Sequence, residues 1–100
     1  MNKEEIKRSL SITKLLTYYG ARLSKAKGSF YCFRHEDSKP SLIANDERGV
    51  ATCASPKCDI KAGSDIFQII KLVENCNFHQ AQQKAIEIAK LLLLQYHPDV

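Results

Sequence analysis

Two short segments carry the side chains with the clearest chemistry. Cys32-Phe33-Arg34-His35 is a C-x2-H pair, and Cys53-Ala54-Ser55-Pro56-Lys57-Cys58 is a C-x4-C pair further along the chain. Zn(II) takes four tetrahedral nitrogen and sulfur ligands, and two tight turns that supply two ligands each meet that demand. A complete Cys3His set leaves no open coordination position, so one zinc per chain would be structural rather than catalytic. Binding free energies at such sites are about 10–16 kcal/mol, comparable with the whole stability of a small domain, about 5–15 kcal/mol. The competing reading is unrelated thiols and an exposed imidazole, and two ligand pairs of one design argue against it.

Other reactive residues read as structural. Cys76-Asn77-Phe78-His79 is also C-x2-H, but it straddles a helix break. Cys76 there behaves as a small apolar side chain, and His79 sits beside polar Gln80 and Gln82. Glu36 and Asp37 are neighbours in a turn before Pro40, with no nucleophile nearby, and fit turn formation or a charge balance for Arg34. A thiol redox site would want C-x2-C beside a βαβ unit, and neither is present.

The elements that must position the four ligands follow from periodicity and turn chemistry. Residues 3–10 allow a short helix. Ile12, Leu15, Leu16 and Tyr19 share one helical face, with Ser11 to cap its start and Gly20 to end it. Residues 29–33, 41–44 and 49–53 are strand-like, and residues 45–49 have turn composition. This hairpin-rich middle holds little apolar mass and calls for a staple. Ile66, Phe67, Ile69, Ile70 and Val73 mark a buried helix with Ser64 as its expected N-cap. Asn75 is suited to closing that helix in the left-handed conformation, and Asn77 with Gln80 forms a capping box for the last one. Phe78, Ala81, Ala85, Ile88, Ala89 and Leu92 give that last helix its stripe, and Pro98 ends it. The expected fold is α+β: one domain over 1–100, helical at 3–19, a zinc ribbon of antiparallel hairpins at 21–62, and helices at 64–74 and 77–96.

A chain of 100 residues and 11.3 kDa has the size of one domain. Its 44% hydrophobic and 26% charged content is that of a folded chain. No apolar run approaches the length of a membrane span. The opening Met-Asn-Lys-Glu-Glu places charge where a secretion signal would be apolar, so a cytoplasmic location is expected, with cysteines as thiols or ligands. The net charge of +4 is uneven. From Ile6 to His35 there are seven basic residues and no acidic one. Such a stretch fits an anionic partner, nucleic acid first, or a solvated basic face.

The run Cys32-Phe33-Arg34-His35-Glu36-Asp37-Ser38-Lys39-Pro40-Ser41-Leu42 resembles the opening knuckle of the CHC2 zinc-binding domain of bacterial DNA primases. Pro40, Ser41 and Leu42 stand at that family's spacing from Cys32. Gly63-Ser64-Asp65-Ile66-Phe67 is similar to the Gly-Asp-apolar-apolar stretch that opens the family's following helix, with one Ser inserted. The likeness covers roughly residues 9–94. Four residues rather than two between Cys53 and Cys58, and Phe33-Arg34 in place of Pro-Phe, place it with a diverged branch, such as proteins of plasmids, phages or other mobile elements. The resemblance implies a zinc ribbon that contacts single-stranded template DNA in replication priming. It implies a separate Toprim catalytic domain or helicase as partner, because the polymerising centre is a magnesium-binding acidic cluster this chain lacks. The chain is therefore expected to be non-catalytic, as a fragment, an accessory or a relic of a primase.

Single-strand binders combine basic grooves with aromatic platforms. The candidates are Lys25, Lys27, Arg34, Lys39 and Arg48 by the hairpins, Lys57 and Lys61 by the second knuckle, and Tyr31 and Phe33 beside Cys32. Phe30 alternates with these aromatics, so at least one of the three should face outward while the others fill a thin core. A protein-interaction adaptor is the alternative. Leu91, Leu93 and Leu94 extend beyond one face of the last helix and could serve a partner or a dimer.

Overall fold

The computed structural model describes residues 2–25, 28–35 and 39–95. Two short helices open the chain, α1 (Lys3–Ser9) and α2 (Ile12–Tyr18). Asn2 caps α1 through the Glu5 amide, and Ser11 caps α2 through the Lys14 amide. Helix α2 closes at Gly20, whose φ of 107° is open to glycine. The Gly20 amide bonds back to Thr17 and the Ala21 amide to Leu16, satisfying two terminal carbonyls.

Four antiparallel strands follow in spatial order: β1 (Arg22–Leu23), β2 (Ser29–Tyr31), β3 (Leu42–Asn45) and β4 (Val50–Cys53). Strand β1 was not expected from its composition, since its two residues are exposed and acquire strand character by pairing with Phe30 and Tyr31. The β3–β4 turn closes on Gly49 at φ 70°, and the Asp46 carboxylate at its tip accepts from the Thr13 amide, tying the hairpin to α2.

Helices α3 (Ile66–Glu74) and α4 (Phe78–Gln95) complete the α+β fold. The N-cap of α3 is Asp65 rather than Ser64. Asp65 and Gln68 form a reciprocal capping box, which leaves Ser64 buried in a bridge with Ala51. Asn75 ends α3 in the left-handed conformation at φ 53°. Asn77 and Gln80 form the expected second capping box.

One core unites both layers. Helical Leu15, Leu16, Ile69, Ile70, Ala81, Ala85 and Ile88 are buried with Phe30, Leu42 and Ala51 from the sheet. The hairpins are therefore not as poor in core as their composition reads, because three inward side chains borrow the helices as their packing partners. Phe78 stays 39% exposed at the start of α4, and its ring meets that of Phe67 at 5.3 Å. Among the described residues, no helix is long and apolar enough to cross a membrane.

Candidate metal centre

Sheet topology brings the two ligand pairs together. One strand separates β2 from β4, so both run in the same direction and finish at the same end of the sheet. The first knuckle leaves β2 after Tyr31, and the second leaves β4 at Cys53. At that end Leu42 pairs with both Phe30 and Cys53, and the Ala54 amide bonds to Ser41.

Cys32, His35, Cys53 and Cys58 converge there, with their ligand atoms within 4.8 Å of one another. Cys32 Sγ is 3.6 Å from Cys58 Sγ, and His35 Nε2 is 3.4 Å from Cys53 Sγ. A zinc tetrahedron with Zn–S bonds of about 2.3 Å and a Zn–N bond of about 2.0 Å has edges of about 3.8 Å between sulfurs and about 3.5 Å between sulfur and nitrogen. The two close pairs match those edges, so the donor set fits a four-coordinate ion. It is the one such group among the described residues. Cys76, half-buried against the core, and exposed His79 lie outside it.

Backbone amides prepare the sulfurs for negative charge. The Arg34 amide donates to Cys32 Sγ at 3.5 Å, and the Ile60 amide donates to Cys58 Sγ at 3.4 Å. Each donor lies two residues beyond its cysteine, and the Ser55 amide favours the Cys53 thiolate from the same position. Without a cation, burial dominates: it pushes the Cys32 thiol up to about 12, the Arg34 amide opposes it, and the adjacent Cys58 and Cys53 sulfurs reinforce it. Cys53 is raised chiefly by burial as well. A bound divalent cation inverts this balance and makes the thiolates the stable form.

The shell around the four ligands holds a contact that spacing did not reveal. Arg34 donates from Nε to Asp59 Oδ1 at 3.0 Å and from Nη2 to Oδ2 at 2.6 Å. The hydrogen bonds hold the Asp59 carboxyl below its ordinary range. Asp59 follows Cys58 directly and Arg34 stands between Cys32 and His35, so placing both knuckles on one ion brings these opposite charges to the same end of the sheet. That was the available signal.

The remaining candidates divide. Phe30 is buried, and Phe33 stacks on Tyr19 at 5.7 Å. Tyr31 alternates with Phe30 onto the outer sheet face, where the Arg22 guanidinium lies 5.3 Å from its ring centre. Lys25, Lys39, Arg48, Lys57 and Lys61 are exposed. Lys25 and Arg48 belong to the hairpin turns at the far end of the sheet, whereas Lys39 and Lys57 flank the knuckles. Lys27, Glu36 and Asp37 lie outside the described residues. No family model matches the chain, and no curated protein sequence matches it.

Proposed function

We propose that this chain is a zinc-stapled DNA-binding module of the primase zinc-ribbon type, which contacts single-stranded DNA as a non-catalytic part or accessory of a priming system. The observation that carries the reading is the Cys3His cluster at the end of a sheet whose outer face bears Tyr31 with Arg22. A base can stack on a tyrosine, while arginine and the exposed lysines meet phosphates. The excess of positive charge in the first half of the chain supports the same partner. The diverged spacing of the second knuckle favours a mobile-element or plasmid setting, with a Toprim domain or helicase as the catalytic partner.

Fluorescence-anisotropy titration of the zinc-loaded chain with labelled single-stranded and duplex DNA tests this. Single strands are expected to bind more tightly, with affinity falling steeply as salt rises. Tyr31→Ala is expected to weaken binding about tenfold, in line with about 1–3 kcal/mol per stacked base. Affinity that is flat with salt, or unaffected by loss of the Tyr31 ring, would exclude the proposal.

A protein-interaction role is favoured by one different observation. On α4, Leu91 is 42% and Leu93 64% exposed, more apolar surface than the helix needs for its own core. An adaptor would leave DNA unbound and would change its oligomeric state or partner binding when Leu93 is replaced by Glu.

A further inference from the structure

We infer that the Arg34–Asp59 pair is a latch on the metal centre, holding the two knuckles closed and slowing departure of the ion. This rests on the reading of the cluster as a zinc site. Arg34 lies inside the first knuckle, and its own amide bonds to Cys32 Sγ. Asp59 lies at the end of the second, next to the Ile60 amide that bonds to Cys58 Sγ. Each end of the ion pair is thus fixed to a turn that already grips a sulfur. The pair joins the same two knuckles as the 3.6 Å Cys32–Cys58 contact.

The geometry is the two-pronged fork that guanidinium and carboxylate form together. A partly exposed pair of this kind adds little to global stability. Its leverage is local. A closed four-coordinate centre loses its ion only after a ligand swings away, and the latch opposes separation of the two turns that carry the ligands. Loss of outer partners typically costs about 10–100-fold in metal affinity, and a faster release of the ion is the route by which this pair would contribute.

The test is the rate at which the zinc-loaded full chain transfers its metal to a colorimetric chelator. Arg34→Gln and Asp59→Asn are each expected to speed transfer about tenfold, and the double variant no further, because one interaction is lost in all three. The charge swap R34D/D59R is expected to recover part of the retention. Cobalt-substituted variants should keep the wild-type visible spectrum, which a damaged ligand set or a folding defect would alter. Wild-type transfer rates in the single variants, or single effects that multiply in the double variant, would overturn the latch. A wild-type chain that retains no zinc through gel filtration would instead overturn the metal site itself.

Discussion

The sulfur of Cys32 lies 3.6 Å from that of Cys58, although the two residues stand 26 apart in the chain. Only the return of β2 and β4 to the same end of the sheet makes that contact, and His35 with Cys53 completes it. The zinc content of the purified chain should therefore be one ion, and Cys58→Ser should abolish stoichiometric loading, as read by native mass spectrometry. Chelation of the wild-type chain should lower the melting temperature and reduce the strand contribution to the circular-dichroism spectrum. A spectrum and melting curve indifferent to chelator would mean that the knuckles are held by something else.

Zinc affinity should rise with pH. Burial raises both the Cys32 and Cys53 thiols, so the metal-free chain holds those protons at neutral pH. Each proton must leave before its sulfur can bind, and acid therefore competes with the ion. Adding zinc to a weakly buffered solution should acidify it, and chelator competition at stepped pH should show affinity falling as pH falls. Binding without proton release would contradict the burial of these thiols.

Adjacent positions on β3 should respond very differently to truncation. Leu42 is completely buried between sheet and helices, whereas Ile43 beside it is 52% exposed on the outer face. Leu42→Ala should cost about 2–5 kcal/mol through lost burial and a cavity. Ile43→Ala should stay within about 0.5 kcal/mol. Urea unfolding of the two zinc-loaded variants gives the comparison directly, and equal losses would refute the assigned faces.

Tyr19 joins the ribbon to α3. Its ring stacks on Phe33, and its hydroxyl donates to Glu74 at 3.0 Å. Burial first, then the Glu74 hydrogen bond and charge, hold the phenol well above its ordinary range. The folded chain keeps this proton more tightly than the unfolded one. The contribution is therefore whole below the ordinary phenol value of about 10 and declines as pH rises past it. Tyr19→Phe should lose about 1 kcal/mol at neutral pH. The gap between variant and wild-type melting temperatures should narrow in alkali, and phenolate absorbance should show one fewer late-ionising group in the variant.

Turn and capping chemistry was legible where it depends on neighbours in the chain. Ser11, Gly20, Asn75 and the Asn77–Gln80 box all act within a few residues, so local composition specifies them. Ser64 misled because two adjacent side chains could each cap α3. The pairing of Ser64 with Ala51 across the sheet left Asp65 to do so. The Cys/His cluster was readable for a related reason: Cys and His at knuckle spacing state which atoms are soft donors before any fold is known.

Composition and spacing alone determined the donor types, the α+β make-up, the N-caps of α2 and α4, the close of α3 and the positive bias of the first half. The tertiary structure decided what no local pattern encodes. It sent Tyr31 outward and Phe33 onto Tyr19, divided the lysines between opposite ends of the sheet, and closed Arg34 on Asp59. The physical reason is that periodicity fixes the direction of a side chain relative to its own strand or helix. Which distant group it meets depends on strand order and register, and those are set only when the whole core packs.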